Sequence, residues 1–154
     1  MPYSRRCAHG WRWGTRMHDE ASIRRVCTEL IVRYAYLNDE HRFDELAGLF
    51  TEDAVLYRPS APDQAIRGRD AILASFRKRP ADTITFHVCS DILIEVQDEG
   101  RAQGRSRILL LSAARPANGT TPPAGAPMPG VFTDLFALTE EGWRFAARRG
   151  SFWI

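Results

Sequence analysis

The sequence predicts an α+β domain, with helices first and an antiparallel sheet after them. Three observations carry this reading. Ile23, Val26, Cys27, Leu30, Ile31 and Tyr34 recur at steps of three and four residues, which makes one apolar face of an α-helix. From Thr83 onward the chain is instead rich in strand formers, punctuated by the turn signals Asp98-Glu99-Gly100 and Glu140-Glu141-Gly142. The two kinds of pattern are segregated along the chain, and helices followed by strands make an α+β domain rather than an alternating α/β one.

Each element follows from its own pattern. The first helix runs from about Glu20 to Asn38, and Asp39 arrives where it ends. The C-terminal end of a helix is negative, so a carboxylate there gains nothing from the dipole. Asp39 is therefore either solvated in the turn or placed for another reason. A short second helix over Phe43–Phe50 puts Phe43, Leu46, Ala47 and Phe50 on one face. Ala54–Arg58 reads as a short strand, and Pro59 to Pro62 as a loop. Gly68 or Asp70 can cap a third helix reaching Arg77, with Ile72, Leu73 and Phe76 inward and Pro80 as its stop.

The remaining strands are Thr83–Gln97 and Arg101–Arg115, then Val131–Thr139 and Trp143–Trp153 as a closing hairpin. The run Ile108-Leu109-Leu110-Leu111 breaks alternation, which suggests burial on both faces. Pro116–Pro129 holds five prolines and is expected to be a loop outside the ladder.

Bulk properties narrow the function. At 154 residues the chain is one domain, able to bury roughly 70% of its unfolded surface. A formal charge of +2 and a pI near 8.6 are too mild to point to nucleic acid. Cys7, Cys27 and Cys89 are odd in number and widely spaced, so neither a disulfide framework nor a metal motif follows. Cys27 falls on the apolar helix face, as a small core residue does. No stretch has the length of a membrane span, and no apolar leader segment follows the early arginines, so a cytoplasmic location is the expectation. Residues 1–18 stand apart as a basic extension to the domain at 19–154, with Arg5, Arg6, Arg12 and Arg16 interrupted by Trp11 and Trp13. That extension reads as a lid, partner arm or surface anchor. The preferred reading is a loose, flexible tail, or codons upstream of a start at Met17.

Among the polar residues, His87 stands out. It sits between Phe86 and Val88, and alternation along a strand places those two on one face and His87 on the other. An imidazole facing an apolar interior needs a partner, and a carboxylate such as Asp39 is the natural one. It would hold the ring in one tautomer and stabilise its protonated form, the logic of general acid–base catalysis. Asp134 and Arg149 are further candidates. Phe132, Asp134 and Phe136 share a face, as do Trp143, Phe145, Ala147, Arg149, Ser151 and Trp153. Arg149 could anchor an anionic or enolate oxygen. It could also pair with Asp134 across the hairpin, and that structural pairing is the preferred expectation. Tyr57 either lines a pocket wall or packs in the core. No nucleophile elbow, P-loop, dinucleotide fingerprint or zinc motif is present, so a cofactor-free, metal-free mechanism is the simplest fit.

Four segments together resemble the nuclear transport factor 2-like superfamily in its SnoaL-like branch. They are Phe43–Leu56 with the helix before it, Ile66-Arg67-Gly68-Arg69-Asp70-Ala71-Ile72, His87–Val96, and Glu141-Gly142-Trp143-Arg144-Phe145. The resemblance runs from about Ile23 to Trp153. It implies a cone-shaped fold in which N-terminal helices pack on a curved antiparallel sheet around a pocket. It also implies roles for residues: Tyr34 and Asp39, five apart on the first helix, and His87 on the facing strand match the pattern of dehydratases and isomerases of this branch. His87 would be the base, Asp39 its orienting partner, and Tyr34 the hydrogen-bond donor to a substrate oxygen.

The implied reaction is proton abstraction beside a carbonyl, followed by loss of water, a double-bond shift or ring closure. Homodimers through the open sheet face are frequent in the superfamily, and a homodimer is expected here. Two positions depart from the pattern: Asp91 stands where Asn is usual, and Leu111-Ser112 replaces a second polar pocket residue. The latter makes the pocket greasier and favours a hydrophobic polycyclic or terpenoid ligand, and the expected substrate is a small, largely hydrophobic carbonyl compound. The same fold also serves as a non-catalytic binding or assembly module, as in the small subunit of ring-hydroxylating dioxygenases. Phe152 and Trp153 could serve such contacts, and this is the alternative reading.

Overall fold

A computed structural model describes residues 19–121, 123 and 125–153. The basic extension at 1–18 lies outside the described residues, and with it the lid, arm and anchor readings. The first helix, α1 (Glu20–Asp39), is capped by Asp19, whose carboxylate accepts the Ser22 N–H at 2.7 Å. Its apolar stripe is the one the spacing predicts: Ile23, Cys27, Leu30, Ile31 and Tyr34 are all buried. Helix α2 (Phe43–Ala47) and helix α3 (Arg69–Arg77) follow, the latter burying Ile72 and Phe76.

Among the described residues six strands form one sheet: β1 (Phe50–Arg58), β2 (Ala61–Arg67), β3 (Thr83–Asp98), β4 (Arg101–Ala114), β5 (Met128–Thr139) and β6 (Gly142–Phe152). Their spatial order is β2-β1-β6-β5-β4-β3. The helices pack against a strongly curled, half-barrel sheet, the cone-shaped α+β architecture. The sheet is mixed, not purely antiparallel, because β1 runs parallel to β6. Phe50 belongs to β1 rather than to the second helix, and it is fully buried there. Pro59 to Pro62 is not a plain loop either. Pro59 and Ser60 make a tight turn, and Ala61 already pairs back onto Arg58 as β2 begins.

The proline-rich segment also ends earlier than composition suggests. Met128, Pro129 and Gly130 pair with Leu110, Leu109 and Ile108 at the start of β5. The Ile108–Leu111 run is not buried on both faces. Ile108 is 3% exposed and faces the interior, whereas Leu109 is 38% exposed on the outer face opposite Val88.

Two irregularities redirect side chains. In β3 the register shifts between Ser90 and Leu93, and Asp91 has φ 48. Asn and Asp are the non-glycine residues that best tolerate this left-handed conformation, so Asp where Asn is usual keeps the backbone feature. In β6, Phe145 pairs with Phe136 and Ala147 with Leu135, so Ala146 is the extra residue of a bulge. The bulge turns Arg148 and Gly150 inward after Trp143 and Phe145, and turns Arg149 outward.

Candidate active site

Asp39 is the last residue of α1, and its carboxylate reaches the edge strand β3. Its Oδ1 lies 2.5 Å from His87 Nδ1, and its Oδ2 accepts the His87 backbone N–H at 2.8 Å. The Thr85 hydroxyl also donates to Oδ1 at 2.7 Å. The His87 side chain is 7% exposed and that of Asp39 19%, so the contact is largely withdrawn from water. Burial raises the Asp39 carboxyl, but hydrogen bonds from the His87 ring, the His87 N–H and the Thr85 hydroxyl outweigh it and hold the group below its ordinary 3.8. An ionised Asp39 can only accept, so Nδ1 carries the hydrogen, and in the neutral ring Nε2 is the nitrogen with the free lone pair. No described residue hydrogen-bonds Nε2, and His87 lines an interior cavity of about 220 Å³.

The cavity lies under α1 and is walled by Ile108 and Leu110 of β4, Met128 and Phe132 of β5, and Phe152 of β6. Phe152, offered from the sequence as a partner contact, is therefore a cavity wall; Trp153 is exposed, at 56%. Tyr34 lines the same space. Its ring is held edge-on by Phe50, Phe76, Phe132 and Phe145, with centroids about 6 Å away (5.9–6.2 Å). No described residue hydrogen-bonds its hydroxyl. Burial pushes the phenol above its ordinary 10.0, against the opposing pull of Arg148. The group stays a neutral donor at working pH. The three residues singled out together, Tyr34, Asp39 and His87, thus meet at one place, with Asp39 behind the ring and Tyr34 at the cavity.

The second group does not gather there. Asp134 pairs with Arg148, not with Arg149: the two are cross-strand partners, both fully buried, with Oδ2 and Nη1 3.6 Å apart. The expected alternation fails because of the Ala146 bulge. Arg148 carries its guanidinium carbon 3.9 Å from the Phe132 ring centroid and 4.2 Å from that of Tyr34. Arg149 lies on the outer face, stacked 3.6 Å over Tyr57 and donating to the Pro62 carbonyl at 2.9 Å. Tyr57, Arg149 and Asp134 are not among the residues lining the cavity.

Sequence reasoning missed four polar residues that do line it: Asn38, Arg58, Ser60 and Arg79. Arg58 ends β1 and donates to Ser75 Oγ at 3.0 Å; Arg79 follows α3 and donates to the Asn38 carbonyl at 3.0 Å. Only their positions at the ends of elements flanking the pocket could have flagged them. Among the described residues, no group of three or more His, Cys, Asp or Glu side chains is placed to hold a metal ion.

With this geometry in place, comparison with known families is decisive. The SnoaL-like domain family matches residues 16–149, most of the chain. This chain is a member of that family. Among solved structures, this SnoaL-like domain is similar to a provisionally assigned scytalone dehydratase from Novosphingobium aromaticivorans, with 25% identity, a TM-score of 0.72, and coverage of 84% of this chain and 83% of the other. ActVI-ORFA from Streptomyces coelicolor has 19% identity and a TM-score of 0.67, with 84% of this chain and 96% of the other covered. A provisionally assigned dehydratase of the NTF2-like family from Streptomyces avermitilis has 18% identity and a TM-score of 0.73, with 83% and 94% covered. The last two likenesses concern the fold alone. No curated protein matches the sequence. The SnoaL-like domain thus stands in a family of small-molecule isomerase- and dehydratase-type proteins. Among the described residues, no helix is long and apolar enough to cross a membrane.

Proposed function

We propose that this SnoaL-like protein is a lyase or isomerase, of dehydratase or cyclase type, acting by His–Asp acid–base chemistry on a small, largely hydrophobic carbonyl compound. The observation that carries the reading is the 2.5 Å contact between His87 Nδ1 and Asp39 Oδ1, made by a histidine that lines the cavity and whose Nε2 has no hydrogen-bond partner among the described residues. In this reading Nε2 removes a proton from the carbon beside the carbonyl. The C–H electrons pass into an enolate, whose oxygen accepts a hydrogen bond from Tyr34. The imidazolium, steadied by Asp39, then returns the proton to a departing β-hydroxyl, which leaves as water, or to another carbon, which shifts the double bond. These steps need only the chain's own acid–base groups.

The test is turnover and hydrogen–deuterium exchange on a panel of β-hydroxy and conjugated carbonyl compounds. The expectation is a fall of about 10²-fold or more in His87→Ala with the fold intact, and a smaller fall in Asp39→Asn. The two losses should not add in the double variant, since the residues act as one unit. Unchanged turnover in folded His87→Ala would overturn the reading.

A specific observation also favours self-association. Phe86 (59% exposed), Val88, Leu109 and Trp153 (56%) stand on the outer sheet face, where strand pairing brings Phe86 beside Leu111 and Val88 beside Leu109 and Pro129. Such a stripe is the kind of surface a homodimer covers.

A further inference from the structure

We propose that the substrate carries an anionic head, a carboxylate or a group of like chemistry, which Arg58 and Arg79 hold while its apolar body lies against Phe76, Ile108, Leu110 and Phe132. This inference rests on the reading of the cavity as a substrate site and adds the charge of what enters it.

The starting point is how the chain treats its arginines. Several exposed ones are paired with carboxylates: Arg25 with Glu29, Arg42 with Glu40 and Glu45, Arg77 with Asp44, Arg101 with Asp98. Arg58 and Arg79 are half-buried, so an unpaired charge costs more there. Yet neither has a carboxylate within 4.0 Å among the described residues. Each spends one N–H on a neutral acceptor, Ser75 Oγ and the Asn38 carbonyl, and keeps the rest of its fork. Both sit beside one aromatic ring, with guanidinium carbons 4.4 Å and 5.9 Å from the Phe76 centroid. Arg79 also lies 5.4 Å from the Phe43 centroid. The ring contacts fix the two forks and leave them repelling each other, and both guanidiniums have pKa values lowered by burial.

Two cations at the wall of a mostly apolar cavity favour a ligand that brings its own negative charge to them. A carboxylate matches the planar, multiply donating fork of arginine. Arg58 comes from β1 and Arg79 from the segment after α3, whereas His87 comes from β3 at the opposite edge of the sheet. The head and the acid–base group therefore approach the ligand from different elements, which suits a bifunctional molecule with an acid at one end and a reacting carbonyl along its body.

The experiment is equilibrium binding of 2-naphthoate and of methyl 2-naphthoate to the full chain at neutral pH, by calorimetry with NMR shift mapping. The acid should bind about tenfold or more tightly than the ester, with shifts at Arg58 and Arg79. The preference should weaken in high salt and fall to about threefold or less in Arg58→Gln and Arg79→Gln. It should persist in Arg77→Gln, a surface control. Ester binding as tight as acid binding in the unmodified protein, or no binding of the acid, overturns the inference without relying on any variant's folding. His87→Ala separates the two readings. An acid preference that survives in it alongside unchanged turnover would sink the reaction and leave the head group standing. A lost acid preference with His87-dependent turnover would do the reverse.

Discussion

Asp39 grips His87 at two points, the ring through Oδ1 at 2.5 Å and the backbone N–H through Oδ2 at 2.8 Å. One carboxylate at the end of α1 therefore sets both the rotation of the imidazole and the position of β3 against the helix. A turn of the His87 ring alone would break only the first of these contacts, because the second is made to the backbone.

This arrangement has a pH signature. The Asp39 carboxyl lies below its ordinary 3.8, so its contribution to stability is fully present above about pH 4 and is lost as pH falls through the folded-state value. Asp39→Asn should cost about 1–3 kcal/mol at neutral pH, from charged hydrogen bonds replaced by weaker ones. In urea melts the gap between the two proteins should narrow below pH 4. A gap of constant size down to pH 2.5 would show that the carboxylate charge plays no part.

Tyr34 separates packing from chemistry. Tyr34→Phe keeps the four edge-on ring contacts and removes only the hydroxyl, so the melting temperature should move by a few degrees at most. On a substrate found by the panel, kcat should drop by about tenfold or more if the hydroxyl serves the enolate. Tyr34→Ala, in contrast, should cost about 3–5 kcal/mol of stability. Equal kcat in the Phe variant would reduce Tyr34 to a core aromatic.

The buried Asp134–Arg148 pair makes a third prediction. Its nearest oxygen and nitrogen are 3.6 Å apart, and both groups are fully buried without close hydrogen-bond partners. Either single change, Asp134→Leu or Arg148→Met, strands a charge and should cost about 3–5 kcal/mol. The double change should cost far less than the two together. Burial pushes the Asp134 carboxyl up to about 6, against the pull of Arg148. A raised acid favours the folded state while protonated, so this group's contribution declines as pH rises from about 4 to about 6. The double variant should lack that decline in thermal melts; additive losses would dismiss the coupling.

The outer-face stripe predicts a dimer. Light scattering should give twice the 17.5 kDa chain mass at micromolar concentration, and Leu109→Glu should halve it without changing the circular dichroism. A monomeric unmodified protein would remove the proposal.

Much of this was legible in the sequence, and particular residues show why. The 3.6-residue stripe from Ile23 to Tyr34 survives because nothing interrupts α1. The placement of His87 opposite Phe86 and Val88 survives because the irregularity of β3 begins only after Ser90. Alternation fails in β6, where a single extra residue, Ala146, exchanges the roles of Arg148 and Arg149. No composition signal marks such a bulge. β2 escaped notice because Ala61-Pro62-Asp63-Gln64 lacks strand formers; pairing with β1 supplies what propensity does not. Arg58 and Arg79 look like ordinary surface charges until the fold folds them over Phe76.

The parallel pairing of β1 with β6 carries a consequence for how the molecule comes into being. β6 is last of the strands in sequence but third in the sheet, bridging the β1–β2 pair to the β3–β5 meander. Until it is in place the two halves share no strand contact, and the wall formed by Phe152 is missing. On a ribosome that delivers the chain from its N-terminus, the β1–β2 pair must wait for β6 before it can join the rest of the sheet. A chain halted before Trp143 would lack both the strand that joins the two halves of the sheet and the cavity wall at Phe152.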